Sequence, residues 1–181
     1  MSDPLSQMLD KFTLHELVLT YCRAVDRRDY ALLATLYHED AIDDHGGMFC
    51  GSAKDYIAWL PSMVQHFELT RHDITNALFA VDGNDANGEL YTIAYHRTHA
   101  PKAREIIIGG RYVDRYQKRN GVWRFLYRSL VFDWKETRAA EASSDDVDVS
   151  DGVAHGRPDG EDPSYQRLPL FQRGRYRWPS S

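Results

Sequence analysis

The sequence predicts an α+β fold, with helices gathered on one face of a curved antiparallel sheet. Apolar residues recur at three- and four-residue spacing over the first 66 positions, then alternate with a period of two. Two tight-turn signals, Asp82-Gly83-Asn84 and Arg119-Asn120-Gly121, divide the second part into hairpin-linked strands. Helices followed by a run of hairpins give segregated layers, not alternating strand–helix units.

Residues 12–27 read as an amphipathic helix, with Leu14, Leu17, Val18, Tyr21, Cys22 and Val25 on one face. Thr13 and Glu16 have the spacing of a capping box at its start. A short helix is expected over 30–37 and a short strand over 41–48, ending near Gly46-Gly47. A third helix is expected over 52–66, carrying Tyr56, Ile57, Trp59, Leu60 and Val64. Strands follow over 68–81, 88–99, 104–118 and 122–134. Composition shifts after Lys135: 141–152 is acidic and serine-rich and reads as a linker. The remainder is polar, interrupted by Tyr165, Leu168, Leu170, Phe171, Tyr176 and Trp178. It reads either as a disordered tail or as one that covers a pocket or clasps a neighbouring subunit.

The chain has 181 residues, enough for one domain with a sizeable core. Its net charge of −5 argues against a general nucleic-acid binder. No signal peptide and no apolar stretch of membrane-spanning length is visible, so no membrane partner and a cytoplasmic location are expected. Cys22 and Cys50 lack metal-site spacing and read as reduced thiols. The 11 tyrosines suit a pocket with apolar walls that still needs hydroxyl donors.

Asp26 falls at the inner edge of the first helix's apolar face, where a carboxylate is costly to bury without a partner. A capping role in Asp26-Arg27-Arg28-Asp29 is the alternative. Strand alternation groups His72 with Ile74, Asn76, Leu78 and Ala80, facing the core. A core histidine satisfied by its neighbours is the plain reading. An imidazole can also take and return a proton near neutral pH without a cofactor, and a carboxylate on one ring nitrogen would fix its tautomer. His96 shares a face with Leu90, Thr92, Ala94 and Thr98, and points inward or ends its strand in solvent. His45, in Asp43-Asp44-His45-Gly46, reads as a pocket donor; a metal reading lacks a second ligand cluster. Arg111 follows Gly109-Gly110, a pair that suggests a bulge or sharp bend, and reads as an anion-binding or surface arginine. No phosphate-binding glycine loop and no Gly-x-Ser-x-Gly elbow occurs.

Together these residues resemble the SnoaL-like branch of the nuclear transport factor 2-like superfamily. The pattern runs from the helix end Tyr21-Cys22-Arg23-Ala24-Val25-Asp26, through Arg71-His72, to the closing hairpin Tyr116-Gln117-Lys118-Arg119-Asn120-Gly121-Val122-Trp123-Arg124-Phe125. The hairpin marks fold only. The helix-end aspartate with a strand histidine is more specific and is similar to the dyad of scytalone dehydratase, hexachlorocyclohexane dehydrochlorinase and bile acid 7α-dehydratase. The resemblance covers roughly 5–137 and implies a cone-shaped barrel domain over 1–137 with a separate tail over 138–181.

The resemblance implies catalytic roles for Asp26, as orienting carboxylate, and His72, as general base. It implies substrate binding by Tyr21 and His96; His45, Arg111 and Tyr112 are expected to bind substrate beside them, with no cofactor and no metal. The water-holding tyrosines of scytalone dehydratase fall at Val25 and His45, so the polarising set is not retained and scytalone is not the expected substrate. The expected activity is a cofactor-independent lyase on a hydrophobic hydroxylated aromatic or polycyclic molecule. The branch also includes lyases of lignin-derived diarylpropane diols, which lose water to a quinone methide and then formaldehyde. A homo-oligomer, dimer or trimer, is expected. The competing classes are a non-catalytic structural subunit or adaptor, and an isomerase resembling ketosteroid isomerase.

Overall fold

The computed structural model describes residues 3–140 and 152–176. Helix α1 spans Pro4–Asp26, capped by Asp3, whose side chain accepts the Ser6 N–H. It starts earlier than the Thr13–Glu16 pair suggests. Thr13 lies mid-helix and donates its hydroxyl to the Leu9 carbonyl, so no capping box forms. The expected apolar face is buried, whereas Leu5, Met8, Leu9 and Phe12 in the first turns are exposed. Helix α2 is Tyr30–Thr35, capped by Asp29, and α3 is Ala53–Val64, capped by Ser52.

Two short strands flank the second connection, β1 (Tyr37–Asp44) and β2 (Cys50–Ser52). Four long ones follow: β3 (Phe67–Asp82), β4 (Asp85–Thr98), β5 (Arg104–Arg119) and β6 (Val122–Ala139). The β5–β6 turn places Asn120 and Gly121 both at positive φ, 52° and 78°, the geometry that matches the twist of a hairpin.

The sheet order is β2-β1-β6-β5-β4-β3. Strand β1 runs parallel to β6, with Ile42 opposite Tyr127 and Asp44 opposite Ser129, so the sheet is mixed where an antiparallel one was expected. The edges β2 and β3 do not pair, leaving a curved, unclosed cone. Register shifts at Gly109/Gly110 and between Ile74 and Ala77 bend it. The second shift corrects the expected face of β3. Beyond it Ala77, Phe79 and Val81 pack on the core, while Leu78, expected inside, is 72% exposed.

The core fills the concave side, where α1 packs against Leu90, Tyr116, Trp123 and Phe125. The Trp123 indole N–H donates to Asp10 at 2.8 Å and Lys118 pairs with the same carboxylate at 2.7 Å, fastening the last hairpin to the helix. Residues 141–151 of the expected linker, and Trp178, lie outside the described residues. The described tail, with α4 at Pro163–Arg167, lies along α1 and the loop after it. Arg23 contacts Ser164, Arg27 pairs with Asp162 and Arg173 donates to the Arg27 and Arg28 carbonyls. Tyr165 OH and the Gly174 N–H both donate to Asp29. No helix among the described residues is long and apolar enough to cross a membrane.

Candidate active site

Asp26 ends α1 with its carboxylate turned into the cone, where it is 8% exposed. Three groups donate to it: the His72 N–H at 3.0 Å, the Thr70 hydroxyl at 3.1 Å and His72 Nδ1 at 2.7 Å. An ionised carboxylate only accepts, so Nδ1 carries a proton and the free lone pair of a neutral ring sits on Nε2. The helix end thus holds both the backbone and the ring of one strand residue.

His96 stands edge-on to His72, with ring centroids 5.5 Å apart at 88°. It also packs on Phe67, and its Nδ1 is buried with no partner among the described residues. Burial first, and then repulsion by His72, push it down to about 4, against the attraction of Asp26. His96 is therefore a neutral imidazole near neutral pH.

A second acid–imidazole pair lies at the end of β1. His45 Nδ1 is 2.5 Å from Asp43 Oδ1, and the other Asp43 oxygen accepts the Tyr37 hydroxyl at 2.6 Å. Asp43 is fully buried. The His45 ring stacks on Tyr56 at 5.0 Å and 13°, and Tyr56 OH meets Tyr21 OH at 3.0 Å. Burial pushes the phenols of Tyr21, Tyr56 and Tyr112 well above their ordinary value, so all three are neutral donors.

These groups line one cavity of about 200 Å³, walled by Trp59, Met63, Phe67, Ile106, Ile108 and Leu130. The exposed Met48 and Lys135 also line it, so the cavity is open to solvent there. Of the expected site residues, His72, Tyr21, His45, His96 and Tyr112 reach this cavity, with Asp26 behind His72. Arg111 does not. Tyr112 takes the inward position, and neighbours on a strand face opposite ways. Arg111 pairs instead with Glu89 at 2.9 Å and Asp133 at 3.1 Å on the outer face. A larger, shallow groove of about 530 Å³ crosses that face near Leu78, Val113 and Tyr127; its buried acid, Asp114, is already neutralised by Arg128.

Sequence reasoning missed Asp43 as a partner, and also Thr70, Tyr56 and Arg128. Asp43 and His45 are two apart on an extended segment, which is a legible signal. Arg128 left none: its guanidinium is fully buried, paired bidentately with Asp114 and within 4.0–4.2 Å of the Tyr21, Tyr112 and Phe125 ring centres. It braces the cavity's tyrosines from behind. Among the described residues no group of three or more His, Cys, Asp and Glu is placed to hold a metal ion.

The model of the SnoaL-like domain matches residues 6–129. The chain belongs to this SnoaL-like family. Solved structures of similar fold include a type 2 hexachlorocyclohexane dehydrochlorinase, LinA, at 19% identity and TM-score 0.71, covering 78% of this chain and 97% of that one. A protein assigned as a scytalone dehydratase, from Novosphingobium aromaticivorans, aligns at 23% identity and TM-score 0.66, covering 76% and 93%. A protein of unknown function from Mycobacterium tuberculosis aligns at 25% identity and TM-score 0.64, covering 72% and 76%. No curated protein matches the chain in sequence. The structural relatives of this SnoaL-like chain thus include dehydrochlorinase and dehydratase enzymes alongside a protein without a known function.

Proposed function

We propose that this protein is a cofactor-independent lyase that eliminates a leaving group from a small hydrophobic hydroxylated aromatic. The observation that carries this reading is the Asp26–His72 pair, hydrogen-bonded at 2.7 Å on the wall of an apolar cavity. His72 Nε2 takes a proton from carbon or from a hydroxyl, and Asp26 holds the ring and stabilises the imidazolium that forms. The walls supply shape and an apolar surround for the ring of the substrate. A volume of about 200 Å³ lies below the roughly 300–1,000 Å³ of most drug-sized sites, which favours a compact aromatic over a steroid.

The test is incubation with hydroxylated aromatics, diarylpropane diols, a halogenated ring and a steroid, read by product mass. Elimination lowers the mass by water, formaldehyde or hydrogen halide. A product of unchanged mass makes the protein an isomerase, and no turnover across the panel removes the enzymatic reading. His72→Ala is expected to lower kcat by about 10²–10⁴-fold while the circular dichroism spectrum and melting curve stay close to wild type. Wild-type turnover in that variant would exclude the dyad as the chemical centre.

A further inference from the structure

We propose that the Asp43–His45 pair is the general acid of this cavity: His45 protonates the departing oxygen while His72 removes the substrate proton. This rests on the lyase reading above.

His45 follows β1 and His72 lies on β3, with β6, β5 and β4 between those strands in the sheet. Curvature still brings both imidazoles to the wall of one cavity. Each is held through Nδ1 by a carboxylate, and among the described residues neither Nε2 is committed to a hydrogen bond. The two pairs differ in what else neutralises the acid. Asp26 accepts two further hydrogen bonds, from the His72 N–H and the Thr70 hydroxyl. Asp43 is fully out of water and among the described residues accepts only the Tyr37 hydroxyl besides the ring. A buried carboxylate so placed calls for a cation, and a charged His45 ring would also lie stacked on the Tyr56 face. His45 is therefore the ring suited to hold the extra proton, and His72 the one suited to accept. His96, the other histidine of the cavity, is desolvated and neutral, a poorer donor.

The step balances. The His72 Nε2 lone pair takes the proton, and the electrons of the broken bond form the new π bond. The carbon–oxygen bond breaks with its pair on oxygen, and the His45 Nε2 proton joins that oxygen, so water leaves. His72 ends one proton richer and His45 one poorer, and exchange with solvent restores both.

The experiment compares an aromatic alcohol turned over by the wild type with its analogue carrying chloride in place of the leaving hydroxyl. Chloride departs without a proton. His45→Gln is expected to lower kcat on the alcohol by about 10²–10⁴-fold and to affect the chloride far less. Asp43→Asn should reproduce this selective loss, and His72→Ala should slow both substrates. Any loss of folded protein lowers both rates equally, so the ratio of the two reads the acid role alone. An equal loss on both substrates, or none on either, in His45→Gln overturns the proposal. Unchanged rates in His72→Ala would instead remove the Asp26–His72 base, a result separate from the His45 ratio.

Discussion

His96 is the residue whose charge the fold opposes most plainly. Its ring is buried beside His72 and falls from the ordinary 6.5 to about 4. The unfolded chain takes up this proton as pH drops through 6.5, while the folded chain resists until about 4. Stability present above 6.5 is therefore lost progressively between those values. Thermal melts from pH 7 to 4 should show that loss, and His96→Phe should flatten this part of the profile. The inward position of His72 was legible because strand alternation groups it with apolar neighbours, whereas for His96 the same rule left an inward and a solvent position open, and packing against Phe67 and His72 decides it. The same rule could not seat both Arg111 and Tyr112 inside, since adjacent strand residues diverge, and only packing selected the tyrosine. Arg128 was illegible because its partner Asp114 lies on another strand, and nothing local marks an arginine that tyrosines enclose.

At the level of elements, the two hairpin turns were readable from Gly, Asn and Asp punctuation, but strand ends and pairing were not: the strand expected over 41–48 is Tyr37–Asp44, β2 was not expected, and β6 runs on to Ala139 instead of ending at 134. That β1 joins β6 in parallel depends on contacts about 85 residues apart in sequence, which no local pattern carries. The extra residue in β3 was equally hidden, because an alternating run looks the same on either side of a bulge. The glycine pair in β5 was visible, and the structure separates its members. The three atoms nearest a Cβ at Gly109 all belong to the Trp134 ring, a side-chain end that is 46% exposed and not fixed by the backbone ladder. A Cβ at Gly110 would stand 2.5 Å from the Val131 carbonyl oxygen, which the β5–β6 ladder fixes. Gly110→Ala is therefore expected to destabilise by about 1–3 kcal/mol in urea unfolding, and Gly109→Ala by clearly less.

For the whole molecule, the tail is the part that composition described least well. The described segment runs along α1, and none of its residues lines the cavity with His72. Asp162 anchors it. Burial alone would raise that carboxyl, but hydrogen bonds from Arg157 and Ser164, with the Arg27 charge, hold it down at about 2. Its grip is complete above 3.8 and is lost as pH falls through about 2. Truncation after Ala140 is expected to lower Tm by a few degrees, at roughly 2–4 °C per kcal/mol for a chain of this size. Affinity for a cavity ligand should change little, as titration calorimetry would show; a large loss would place the tail at the cavity after all. Asp26 has a wider consequence for anyone redesigning this scaffold. One side chain rivets the first helix to the third strand and also holds the His72 ring, so no replacement there can reorient the imidazole without loosening the frame. Retuning belongs at positions 45 and 96, where the architecture has less at stake.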